Sequence, residues 1–313
     1  MIAAIEELLE HETAGDPMTG LLWTRKTTRK IAAELRGAGI EISRGTVARL
    51  LDKLGYSLRV NHKKRAARSH PNRDQQFEQI RKSRTSFRRQ GLPVVSVDTK
   101  KKELIGLFKN PGAAWSKVPT LVNDHDFRSQ AVGMAIPYGV FDLAANRGDI
   151  FVGTSHDTPE FAADVLTRWW KGTGRHRYPD ADRLLILADT GGSNGARTRV
   201  WKHKLQTRLC DAFGLAVTVR HYPPGASKWN PIEHRLFSEI SKNWAGRPLD
   251  SYETMLNYIR TTTTTTGLAV RARLVRRHFP KGQTLSPREM EEVNLHPHRT
   301  LPAWNYTLRP VNR

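Results

Sequence analysis

A single cysteine, Cys210, stands in 313 residues. No disulfide can close within the chain and no zinc site can be built on thiolates, so neither device holds this fold. Long apolar runs are missing too, and none reaches the roughly 18 residues that a bilayer span needs. The opening MIAAIEELLE carries acid where a secretory leader carries base, and no long basic amphipathic helix stands out for a membrane surface. A soluble, cytoplasmic chain with no membrane partner is expected. The pattern GxxxxGK[ST] is absent, which excludes a nucleotide P-loop. Acidic residues are scarce: 30 Asp and Glu stand against 51 Lys and Arg, for a formal charge of +21 and a pI near 10.5. A partner with a phosphate backbone fits that imbalance, because each neutralised phosphate releases counterions. The plainer alternative is a solvated surface that happens to be basic.

The length suggests more than one domain, and apolar periodicity divides the chain. Residues 1–60 read as a small all-α domain. Ile2 to Glu10 is one helix. A second covers 28–36, with Ile31 and Leu35 one turn apart, and Gly37 and Gly39 break it. Ser43 caps a third, in which Val47, Leu50, Leu51 and Leu54 share a face and Gly55 marks the end. Two helices joined by a glycine-containing turn match a helix-turn-helix whose Arg44, Thr46, Arg49 and Lys53 point away from the apolar stripe, toward DNA. A plain helical bundle gives the same pattern. Residues 61–91 read as a basic linker, including Lys63, Lys64 and Arg65, suited to DNA backbone.

From 92 to 250 the period changes. A strand at 94–98, a Lys-rich turn and a second strand at 104–108 suggest a hairpin. Strands at 137–143 and 149–153 follow, then a helix with Thr158 as cap and Pro159 first, a strand ending at Asp189, a helix at 196–213, a strand at 215–220 and a helix opened by Pro231. Strands first, then alternating helix and strand, predict an α/β fold: a mixed sheet flanked by helices, in RNase H-like order. Residues 251–313 carry weaker signals and read as a C-terminal extension. It holds a helix at 252–259, a loop through six threonines at 261–266 and a short helix from Ser286-Pro287.

Three carboxylates occupy informative settings. Asp98 closes the apolar run PVVSVD, Asp189 closes RLLILAD, and Glu233 sits in the first turn of NPIEHRLFSEISKNW. Strand-end carboxylates reach the rim of a sheet, where sites assemble. Three such donors can hold two Mg²⁺ ions about 3.5–4 Å apart, clamping the attacking and leaving oxygens of a phosphodiester. Taken singly, Asp98 suits a turn or cap, and Glu233 suits a helix start, worth under about 1 kcal/mol. Crowded carboxylates repel, so their convergence itself predicts dependence on a divalent cation. Lys100 and Lys101 read as exposed turn lysines able to meet a phosphate. In the TGGSNG loop, Asn194 either meets the metal or the leaving 3′ oxygen or simply makes the turn. Asn230 reads as the cap of the Glu233 helix, which buries Ile232, Leu236, Phe237 and Ile240. His234 either orients a ligand or stays on the surface. Trp229 either stacks on a base, worth roughly 1–3 kcal/mol, or packs on the helix. Lys228 beside it is a DNA-contact candidate.

The segments LLWTRKTTRKIAAEL, TVARLLDKLGYSLRVN, VDTKKKELIGLFKNPG, AIPYGVFD, HDTPEFA, ADTGGSNG, HYPPGASKWNPIEHRLFSEISKNWAGRPL and WNYTL resemble DDE-type insertion-sequence transposases. The likeness is to the ISAzo-thirteen family, related to mariner-like elements, and covers nearly the whole chain. It implies an RNase H-like core, Mg²⁺ or Mn²⁺ as cofactor, and a metal-binding triad at Asp98, Asp189 and Glu233. It also implies terminal inverted repeats and target DNA as partners, a homo-oligomer on DNA, and a cytoplasmic, nucleoid-associated location. Thr190 stands where the family has glycine. Family members usually carry more N-terminal sequence with another DNA-binding segment, so the resemblance implies a start inside the family's span. The implied activity is strand cleavage and strand transfer at element ends. A repressor-like decayed transposase and another RNase H-like nuclease are the alternatives.

Overall fold

The computed structural model describes residues 2–10, 13–16, 21–24, 27–56, 70–114 and 116–311, in two units, Met1–Arg65 and Ala66–Arg313. In the first unit, α1 (Ile2–Glu10), α2 (Thr28–Gly37) and α3 (Arg44–Lys53) bury Ile5, Ile31, Leu35, Ile42 and Val47 together. Thr27 and Ser43 cap α2 and α3, their hydroxyls accepting from the amides of Lys30 and Thr46. Arg44, Arg49 and Lys53 are exposed on α3. One feature departs from the all-α expectation: a short antiparallel hairpin of β1 (Thr13–Asp16) and β2 (Leu21–Thr24). The LLWT run is rich in strand formers and lies outside any helical period. Lys63, Lys64 and Arg65 lie outside the described residues.

The second unit is built on a sheet of nine strands among the described residues. They are β3 (Val94–Thr99), β4 (Glu103–Ile105), β5 (Gly133–Asp142), β6 (Arg147–Gly153), β7 (Arg183–Asp189), β8 (Ala216–Tyr222), β9 (Ala269–Val275), β10 (Leu295–Pro297) and β11 (Asn305–Leu308). The order is β10-β11-β8-β7-β3-β5-β6-β9, with β4 paired to β5. Its middle, β6-β5-β3-β7-β8, has β5 antiparallel to both neighbours and β3, β7 and β8 mutually parallel. That is the RNase H-like arrangement.

Three sequence expectations need correction. β3 and β4 do not form a hairpin; both pair with β5, β3 along Tyr138–Asp142 and β4 along Gly133–Ala135. Residues 73–89 are no linker but α4 (Arg73–Arg89), which buries Ile80 and Phe87 against Val94, Leu185, Leu187 and Tyr222. Its few apolar positions were masked by basic residues on its outer face. The C-terminal stretch is no extension either: β9 adds in parallel to β6 and β11 antiparallel to β8. No helix among the described residues is long and apolar enough to cross a membrane.

Alternation along β3 decides what each face holds. Val95 and Val97 join the core under α5 (Pro159–Trp169) and the helix Arg199–Leu205. Val94, Ser96 and Asp98 face the other way, toward α4 and the segment that carries Glu233. That segment runs through a π-helical turn, Glu233–Phe237, into the helix Ser238–Asn243. It lies directly on the sheet because Gly139 and Gly148 have no side chain. A Cβ at Gly139 would come within 2.7 Å of Ile232 and Phe237, and one at Gly148 within 2.5 Å of Leu236. Gly139→Ala should therefore cost about 1–3 kcal/mol by overpacking, lowering the urea midpoint at unchanged m-value. An unchanged midpoint would show that this close seating is not needed.

Candidate active site

β3 and β7 are parallel neighbours, so their C-terminal residues Asp98 and Asp189 emerge at the same edge of the sheet. The turn after Pro231 brings Glu233 to that edge from above. All three carboxyl groups feel one another. Burial and then the charge of Asp189 push Asp98 up to about 8, with Glu233 and Asp157 adding to the rise. Burial pushes Asp189 up to about 6, with Glu233 raising it further against a hydrogen bond from Asn230. Burial also raises Glu233, while hydrogen bonding to Asp98 and the charge of Lys100 oppose the rise. Asp98 Oδ1 accepts from the amide of Thr99 at 2.8 Å.

Asn230 ties these elements together. Its side-chain oxygen accepts a short hydrogen bond from Ser96 on β3, and its amide donates to Asp189 Oδ1 at 3.1 Å and to the Val97 carbonyl at 3.4 Å. Ser96 Oγ in turn accepts from the amide of Ile232 at 3.1 Å. The sequence gives Asn230 a capping role, but its side chain makes no cap; only its carbonyl accepts from the Glu233 amide. The side chain reaches across to the two neighbouring strands instead. Behind Asp189, buried His221 contacts the Asp189 carbonyl through Nδ1 at 2.8 Å and the Tyr306 hydroxyl through Nε2 at 3.3 Å. Burial lowers its pKa to about 4, so the ring stays neutral.

The accessory residues divide. Lys100 does not stand free in a turn. It is buried, its ammonium 3.0 Å from Glu103 and 4.5 Å from the centre of the Trp244 ring. The backbone bond from its amide to the Pro137 carbonyl fixes it there. Lys101 remains exposed and shares a cavity of about 350 Å³ with Glu233 and Trp244. Asn194 is buried, its amide 3.5 Å from the Val97 carbonyl, so it faces the strand. His234 is exposed. Trp229 is half exposed, edge-on to Phe77 of α4, with Lys228 5.3 Å from its ring centre. Sequence reasoning missed Asp157, which accepts from the Thr99 hydroxyl at 3.1 Å and raises Asp98. Its position between β6 and the cap of α5 was the available signal.

Among the described residues, no three His, Cys, Asp or Glu side chains are gathered tightly enough to hold a single ion. Like charges do not close on one another unaided. The donor set still fits a hard divalent cation: its ligands are oxygens, and they come from elements locked by Asn230. Tyr138, whose buried hydroxyl has no partner among the described residues, pairs with Thr99 and packs on Phe161 in the α5-side core, on the face opposite Asp98. Asn230→Ala would leave Ser96 and Asp189 without their shared partner, and the expected loss is about 1–3 kcal/mol. A thermal midpoint equal to wild type would contradict this role.

The structural comparisons return the Mos1 transposase. A Mos1 paired-end complex with the left transposon end matches at 13% identity and TM-score 0.44, covering 83% of this chain and 69% of that one. The Mos1 strand transfer complex matches at 18% identity and TM-score 0.45, with 83% and 69% covered. At these scores the likeness adds no weight to the strand order already described. No curated protein matches the chain. The decisive match is to a family model described as the Rhodopirellula transposase DDE domain, over residues 4–310. The chain therefore belongs to the Rhodopirellula transposase DDE domain family.

Proposed function

We propose that the chain cuts and rejoins DNA at the ends of an insertion sequence, with Asp98, Asp189 and Glu233 as its metal-binding carboxylates. The observation that carries the reading is the convergence of three half-buried carboxyl groups, from three separate elements, at one edge of the sheet. Mg²⁺ or Mn²⁺, when bound, supplies Lewis-acid activation of the attacking oxygen and neutralises charge on the leaving one. The protein's part is positional. Asn230 holds the Asp189 carboxylate toward the site, and the amide of Thr99 holds that of Asp98. Lys100 offsets part of the negative charge beside Glu233.

In the first step a water oxygen attacks the scissile phosphorus, the P–O3′ bond breaks, and the element end is released as a 3′-hydroxyl. In the second, that hydroxyl attacks a target phosphodiester and displaces the target's own 3′ oxygen. Each step exchanges one P–O bond for another, so no external energy source is needed. The exposed Arg44, Arg49 and Lys53 of α3 are assigned to the inverted repeat, with Lys63, Lys64, Arg65, Lys101 and Lys228 on flanking backbone. Trp229, exposed beside Lys228, suits stacking on a base. Joining two ends requires two copies of the chain on DNA.

Alanine at Asp98, Asp189 or Glu233 is expected to abolish Mg²⁺-dependent cleavage of DNA carrying the native ends. Affinity for the same DNA, read by fluorescence anisotropy, should stay near wild type. Near-normal cleavage by any of the three would overturn the triad. Tight binding by the wild-type chain with no metal-dependent cleavage would favour the repressor-like alternative.

A further inference from the structure

The second unit has a basic cleft that the carboxylate site does not use. α4 presents Arg81, Arg84 and Arg88 three and then four residues apart, along one helical face. Arg235, two residues beyond Glu233, lines the same cleft, whose floor includes Val94 and Leu143 and whose volume is about 420 Å³. All four arginines are exposed. Arg81 pairs with Glu78 on its own helix at 2.8 Å, but Arg84, Arg88 and Arg235 make no ion pair among the described residues. Arg235 is nonetheless held in place: its guanidinium lies 4.8 Å from the centre of the Phe141 ring and donates to Asn146 Oδ1 at 3.0 Å. Cations lining one small cleft repel one another, and a polyanion relieves that repulsion.

Position favours this cleft over a basic pocket on the opposite face. Arg168, Lys171, Arg175 and Arg273 line a pocket on the α5 side of the sheet, the face turned away from Glu233. There Arg168 is already committed to Asp164. The arginine cleft instead shares its face with Ser96, Asp98 and the Glu233 segment. Val94 lies four residues before Asp98 on β3, a distance of about 13 Å along an extended strand. Duplex DNA spaces its phosphates about 3.4 Å apart along the axis on each strand, so the interval is about four base pairs.

We propose that this cleft is a docking surface for the sugar–phosphate backbone of duplex DNA leading away from the cleavage site. Its location rests on the reading of Asp98, Asp189 and Glu233 given above; its test needs no cleavage. The full chain carrying Arg84→Glu, Arg88→Glu and Arg235→Glu is compared with one carrying Lys171→Glu, Arg175→Glu and Arg273→Glu, an equal change of charge on the opposite face. Binding to a fluorescent random-sequence duplex is followed by anisotropy over a series of salt concentrations, with a triple Gln variant of the cleft in parallel should the Glu variant unfold. The cleft variants should flatten the slope of log K against log salt by about 2–3, near the loss of one contact per arginine, while the opposite-face variant keeps the wild-type slope. Equal flattening by both sets, or a wild-type slope in the cleft variants, would overturn the proposal. A chain that binds in this way yet never cleaves would sink the catalytic reading and leave the docking surface standing.

Discussion

Burying like charges beside one another sets the terms for the catalytic unit. Burial raises the proton affinity of Asp98, Asp189 and Glu233 alike; Asp189 and Glu233 raise that of Asp98 further, and Glu233 that of Asp189. Such a group stays together only if the backbone beneath it is over-determined. The Ser96–Asn230–Asp189 bridge does this from one side, joining β3, β7 and the Glu233 segment through a single buried amide. His221 and Tyr306 do it from behind, where the β8–β11 pair supports the Asp189 carbonyl.

Close approach is the second constraint. The Glu233 segment can sit low on the sheet because two residues beneath it, Gly139 and Gly148, have no Cβ. The π-helical turn at Glu233–Phe237 then buries Leu236 and Phe237 while leaving Glu233 at the rim. Such turns carry a wider, less stable hydrogen-bond pattern and concentrate at functional sites, where they re-aim a side chain. Burial below and carboxylates above are parts of one arrangement.

Charge is distributed with the same asymmetry. α4 buries Ile80 and Phe87 and turns its arginines outward, so one helix both closes the core and lays a basic bank beside the carboxylate face. Part of the excess of Lys and Arg that marks the whole sequence is thus gathered into a cleft on this face. Lys100 shows the converse. A lysine in a basic run is drawn inward, onto Glu103 and Trp244, where it tempers Glu233 rather than meeting solvent.

The core strands, the caps at Ser43 and Thr158, and the strand-end settings of Asp98 and Asp189 were legible from residues alone. Each depends on local periodicity or on a side chain bonding its own turn. Partners far away in sequence were not legible. Asn230 looked like a cap because its neighbours in the chain are Pro231 and a helix, yet its bonds go to residues 96 and 189. α4 looked like a linker because its charge outweighs three buried positions, and β9 and β11 looked like a tail because strand pairing leaves no mark on either partner alone. Sequence by itself determined which segments are apolar and where the acids fall, since those follow from short-range pattern. Only the tertiary structure decided which lysine turns inward, which glycines admit the Glu233 segment and which amide joins the carboxylates, because each choice is settled by atoms that the chain brings close only on folding.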